Sequence, residues 1–151
     1  MKKWWLSGIV VLLLFSCSTI PYGQRPENVK KVIALFNSGD VKALVADSSL
    51  PFLFGGEIVE LKEDLQTMWS NLVGSGLKLS DAQIIDSRPV NETTYTTFVD
   101  NLEGKVFMTK YLPKQTAFVR VKCTSGTFDF LLDGSRQGYP LILGFKEETQ
   151  Q

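Results

Sequence analysis

From Ala117 onward the chain alternates with a period of two. Ala117, Val119, Val121 and Cys123 are separated by Phe118, Arg120 and Lys122. After Ser125-Gly126 the pattern resumes, with Phe128, Phe130 and Leu132 set against Asp129 and Asp133. Two is the repeat of a β-strand, because successive side chains point to opposite faces. The stretch from Asp133 to Gly138 reads as a polar loop, and Tyr139 to Phe145 as a final apolar strand. The end of the chain is therefore expected to be a three-stranded antiparallel meander.

The beginning follows the other period. Pro26 suits the first turn of a helix. Val29, Val32, Ile33 and Phe36 then fall at i, i+3, i+4 and i+7, one apolar stripe that Ser38-Gly39 stops. Asp40 is a good N-cap for a shorter helix that buries Val41, Leu44 and Val45. Pro51 closes that region. Phe52-Leu53-Phe54, Gly55-Gly56 and Glu57 to Leu61 read as a hairpin. Leu61, Leu65, Met68, Trp69 and Leu72 mark a third helix, ended by Gly74 and Gly76. Ile84-Ile85 lie in a strand that Pro89 ends. Residues 92 to 112 are ambiguous: Tyr95, Phe98, Val99, Leu102 and Val106 fit a helix, whereas Thr93, Thr94, Thr96 and Thr97 favour a strand. The expected reading is a helix near 93–103, cut at Gly104, with a short second element near 105–111. Helices gathered first and strands last give an α+β class: N-terminal helices on a curved, mainly antiparallel sheet.

The first 25 residues stand apart from this body. Lys2 and Lys3 precede an apolar run from Trp4 to Phe15. As a helix that run would be about 18 Å long at roughly 1.5 Å per residue, too short for a bilayer core of about 30 Å. It reads as the apolar region of a signal peptide. Leu14-Phe15-Ser16-Cys17 follows at once and resembles the lipobox of bacterial lipoproteins, with Phe15 bulkier than the small residue usual there. The resemblance implies cleavage between Ser16 and Cys17 and lipid on Cys17, with palmitate-type acyl chains. Several chains are needed because one acyl chain binds a bilayer only marginally. Ser18 after the cysteine resembles outer-membrane sorting and implies an envelope location on the periplasmic or surface face. Residues 1–16 are thus expected to be the signal peptide and 17–25 the lipidated cysteine and tether. Residues 26–146 form one α+β domain, and 147–151 a polar tail.

Two helices, an apolar hairpin, a third helix and a closing sheet also resemble the nuclear transport factor 2-like (cystatin-like) superfamily. The residues that carry the likeness are Pro51 to Ile58, Phe128 to Leu132 and Leu141 to Phe145. This resemblance implies a cone of helices over a bent sheet, open to a small hydrophobic ligand or an active site. No catalytic residue of that superfamily maps onto a numbered position here.

Composition narrows the function. The chain has no histidine, which excludes a Ser-His-Asp triad, a Cys-His pair and most zinc sites. With Lys2 and Lys3 removed, 14 basic residues face 16 acidic ones, a balance of −2 that offers nucleic acid no basic field. No phosphate, dinucleotide or calcium loop is present, so neither a cofactor nor a metal is expected. Cys123 shares a face with Val119 and Val121 and is expected to be a buried, inert thiol. Asp47, Asp64, Asp86 and Asp129 could serve as acid or base, as could Tyr95 and Tyr111 through their hydroxyls. Surface solvation is the expected state of the first group, and packing that of the tyrosines and of Trp69. The expected function is that of a non-catalytic, membrane-anchored lipoprotein binding a small hydrophobic ligand or an envelope protein. The alternative is a small lipid-anchored isomerase or hydrolase using a carboxylate or tyrosine. Radiolabelled fatty acid should enter the wild type and not Cys17→Ala; an unlabelled wild type would remove the anchor.

Overall fold

The computed structural model describes residues 20, 22–135 and 141–148; the expected signal peptide with Ser16, and Cys17, Ser18, Thr19 and Pro21 of the expected tether, lie outside them. A 3₁₀ turn, Tyr22–Gln24, leads into α1, Pro26–Ser38, which buries Val29, Val32, Ile33 and Phe36. Gly39 ends α1 at φ 71°, a left-handed cap that glycine adopts freely. Asp40 caps α2, Val41–Ala46, by accepting the Ala43 N–H at 3.0 Å. The hairpin forms as expected from β1, Ser48–Phe54, and β2, Glu57–Val59, with Phe52 opposite Val59. Pro51 lies inside β1 instead of closing the helical region. α3, Lys62–Gly74, buries Leu65, Met68 and Trp69, while Leu61 sits at its N-cap, exposed.

After β3, Gln83–Pro89, the ambiguous stretch resolves into two helices. They are α4, Glu92–Phe98, and α5, Leu102–Lys110. The break falls at Val99–Asn101 and not at Gly104. Asn91 and Asn101 are the reason, since each caps a new helix through its side chain. Gly104 is inside α5 because a Cβ there would collide with Val99.

β4, Thr116–Cys123, β5, Gly126–Asp133, and β6, Ile142–Glu148, make the antiparallel meander. β6 starts later than expected and runs through Glu147 and Glu148, the first residues of the expected tail. Pairing of Thr127 with Glu148 and of Phe128 with Glu147 extends it. Tyr139 and residues 149–151 lie outside the described residues.

The six strands are ordered β2-β1-β6-β5-β4-β3. Among the described residues only the β1–β6 pair is parallel, so the sheet is mixed but mainly antiparallel. One face carries α1, α2 and α3 over Phe36, Phe52, Trp69, Phe128 and Phe145. The other face carries α4 and α5 over Leu53, Phe98, Phe107, Phe118, Leu131 and Leu143. Trp69 is buried as expected, its indole N–H donating to Ser48 Oγ at 3.1 Å. Among the described residues no helix is long and apolar enough to cross a membrane.

Gly104→Ala should cost about 1–3 kcal/mol by overpacking against Val99. Gly74→Ala, with open space around it, should be neutral or stabilise slightly. Urea denaturation of both variants checks the contrast.

Candidate functional site

The outer face of the sheet holds a row of charges beside the α4–α5 layer. Asp86 on β3 stands opposite Arg120 on β4, Arg120 opposite Asp129 on β5, and Asp129 opposite Lys146 on β6. The signs alternate, the arrangement that stabilises cross-strand neighbours. Arg120 grips Asp129 with both arms: Nε donates to Oδ1 at 2.7 Å and Nη2 to Oδ2 at 2.8 Å. Nη2 also donates to Glu148 Oε1 at 2.6 Å. Lys146 Nζ lies 3.1 Å from that same oxygen. It also donates to the carbonyls of Thr97 and Phe98, at 3.0 and 2.9 Å, closing the last turn of α4. Arg88 and Asp86 pair at 3.3 Å at the other end of the row.

Asp129 corrects an expectation. Alternation with core phenylalanines puts it on the solvated face, yet its side chain is 0% exposed. The reason is its strand: β5 lies between β4 and β6, and both faces of the sheet are covered. Burial pushes the Asp129 carboxyl up to about 6, against the opposing pull of the Arg120 hydrogen bonds. Arg120 is raised, hydrogen bonding to Asp129 outweighing its own burial. Burial alone would raise Glu148, but hydrogen bonds to Asp129 and Lys146 outweigh it and hold that carboxyl below its ordinary range.

This cluster is built to stay in place. A carboxylate held by both arms of a guanidinium is oriented and neutralised, so it is poorly placed to take a proton from a ligand. Lys146 and Glu148 do border a polar cleft of about 360 Å³ beside Gly55, Gly56 and Thr96.

A roomier cleft lies on the other side of the sheet, between α2, α3 and β1. It has a volume of about 810 Å³, within the usual range of about 300–1,000 Å³ for small-molecule sites. Val41, Val45, Leu50 and Leu65 form its walls, and Lys42 and Lys62 also border it. Among the described residues no carboxylate or tyrosine lines it.

The other expected candidates are scattered. Asp47 is the C-cap of α2, its carbonyl accepting the Ile142 N–H at 2.8 Å. Asp64 is exposed on α3 beside a separate groove. Tyr95 packs on the outer core, and Tyr111 lies 5.9 Å from the Phe107 ring. Cys123 is a buried free thiol, its Sγ 3.3 Å from Ser125 Oγ and from the Gly126 carbonyl. Among the described residues no group of three His, Cys, Asp or Glu could hold a metal ion. Sequence reasoning named Asp86 and Asp129 but missed Arg120, Lys146 and Glu148 as their partners. The signal was there for Arg120: three residues back from Cys123 and three on from Gly126 it meets Asp129 across the hairpin.

The Asp129 shift sets a pH dependence. Its folded value lies above its ordinary range, so between about pH 4 and 6 the folded chain holds a proton that the unfolded chain has lost. The contribution of Asp129 to stability therefore falls as pH rises through that window. Glu148 acts in the opposite sense, with its loss below the ordinary carboxylate range. Arg120, raised further by its partners, stays charged throughout. Thermal melts from pH 4 to 7 should show a shallower decline in Asp129→Asn than in the wild type; parallel curves would refute the assignment.

No protein-family model and no curated protein matches the chain. Among solved structures it is similar to a DUF4783 family protein from Bacteroides ovatus ATCC 8483, at 14% identity and a TM-score of 0.44, covering 85% of this chain and 99% of that one. It is also similar to a DUF4783 family protein from Bacteroides fragilis YCH46, at 10% identity and a TM-score of 0.39, covering 79% and 95%.

Proposed function

We propose that this chain is a membrane-anchored envelope lipoprotein whose folded body binds a small hydrophobic ligand without transforming it. The anchor reading rests on the short apolar leader and on Leu14-Phe15-Ser16-Cys17. Ser18 favours the outer membrane as its address. The superfamily resemblance belongs to this proposal as well. What supports it is the order of two helices, hairpin, third helix and closing antiparallel strands.

One observation carries the non-catalytic reading: the desolvated carboxylate and the apolar cleft are in different places. Asp129 is locked to Arg120 on the outer face. The α2–α3 cleft offers apolar walls and lysines but, among the described residues, no acid or tyrosine. A hydrolase or isomerase of the carboxylate type needs its carboxylate where the ligand sits. A binding protein needs only the walls, and the lysines would suit an anionic group on the ligand.

The probe for this reading is 1-anilinonaphthalene-8-sulfonate, an apolar dye with one negative charge. Val45→Trp fills the cleft and should weaken dye binding about tenfold, roughly 1.4 kcal/mol, with an unchanged near-UV spectrum. Asp129→Asn should leave dye binding as in the wild type. Equal dye binding by Val45→Trp would place the site elsewhere.

A further inference from the structure

We propose that the outward face of α5 is a docking surface for the anionic headgroup layer of the membrane that holds the chain. The inference rests on the lipid-anchor reading above and adds to it which face of the body meets the bilayer.

Three observations lead there. The first is apolar exposure. Leu102, Val106 and Tyr111 are 78%, 44% and 39% exposed, although α5 buries Phe107 and Met108 on its inner side. Leu102 is the most exposed large apolar residue among the described residues.

The second is charge. Lys105, Val106, Thr109 and Lys110 fall three, four, seven and eight positions after Leu102, so they share its stripe. Lys114 is exposed just beyond the helix. From 102 to 114 there are three lysines and one acid, Glu103, in a chain whose 16 basic and 16 acidic residues balance as a whole. Lys110 Nζ lies 5.1 Å from the Tyr111 ring centre. Long cationic stems beside apolar groups, with an aromatic hydroxyl among them, suit the boundary between acyl chains and headgroups. A protein partner would be served by the apolar stripe alone. The lysine surplus favours a surface of negative charge.

The third is position. Gly23 packs against Ala117 near the start of β4. Ala117 follows Tyr111 by six residues, so the N-terminal end of the described body and the segment leaving α5 both lead to the start of β4, the first from the α1–α3 face and the second from the α4–α5 face. Residues 17 to 22 reach at most about 20 Å at roughly 3.3 Å per residue. A lipid on Cys17 would hold the start of β4 close to the membrane, within a six-residue connection of the C-terminal end of α5.

The test uses the mature lipidated chain in phosphatidylcholine vesicles with and without phosphatidylglycerol. A nitroxide is placed at Leu102→Cys and, as reference, at Thr67→Cys on α3, beyond the other face of the sheet. Cys123 is buried, so the new thiol takes the label. On anionic vesicles the label at 102 should collide with oxygen more than with a polar nickel chelate, and the label at 67 should show the reverse. Each lysine should contribute about fivefold to the docked population. The combined variant Lys105→Gln, Lys110→Gln, Lys114→Gln should thus lose about a hundredfold and return the label at 102 to water. A label at 102 that stays water-accessible on anionic vesicles overturns the docking face and leaves the anchor standing. Protection in detergent that grows with protein concentration overturns it in favour of a second copy. A chain that never enters the vesicles removes the anchor and the docking face together.

Discussion

β6 is the strand that makes two half-sheets into one. It pairs in parallel with β1 and antiparallel with β5, so without it the N-terminal hairpin and the C-terminal meander would be separate edges. Its side chains then tie both layers to the sheet. Phe145 meets the rings of Phe36, Phe54, Trp69, Phe128 and Phe130 at centre distances of 5.1 to 6.3 Å. On the other face Leu143 joins the α4–α5 core and Lys146 holds the last turn of α4. Gly144 is the point of closest approach, where any Cβ would press on Leu131 and the Leu53 carbonyl. Aromatic packing on one side and charge on the other are thus fastened by neighbouring residues of a single strand.

The cost of that arrangement is visible in the charged row. Covering both faces of a central strand leaves Asp129 without water, and an unpaired carboxylate there would be strongly disfavoured. Arg120 answers with a two-pronged grip, and Glu148 and Lys146 close the remaining valences. Such a network fixes the register of β4, β5 and β6 more surely than it adds stability, because desolvation consumes most of the Coulombic gain. The pairing of Arg120 with Asp129 can exist only when Cys123 meets Gly126, so a slip by one residue would break it.

The elements were legible wherever one period ruled. The stripe from Val29 to Phe36, the Asp40 cap and the alternation from Ala117 to Cys123 each led to the element found. Residues 92 to 110 were harder, because the helix break is made by the caps Asn91 and Asn101 while the glycine at 104 serves packing. What sequence reading lost was the second layer. Its trace is a break in alternation: Leu131 is apolar between Phe130 and Leu132, and its partner Phe118 sits among Arg120 and Lys122. Once those two are paired, the face of Asp129 is no longer the solvent face. The clefts were not legible at all, since they depend on how α2 and α3 lean together over β1.

The parallel contact of β1 with β6 has a consequence in time. Leu53 finds its partner Gly144 only after some ninety further residues have been made. Contacts so distant in sequence close late and slow folding, because a long loop must be ordered first. A ribosome delivers the hairpin early and its neighbour last, so the growing chain has no finished sheet to seal. A polypeptide that must travel through a narrow channel before it folds is helped by such an order of assembly. The same geometry that joins the two half-sheets thus postpones compaction until nearly the whole chain has arrived.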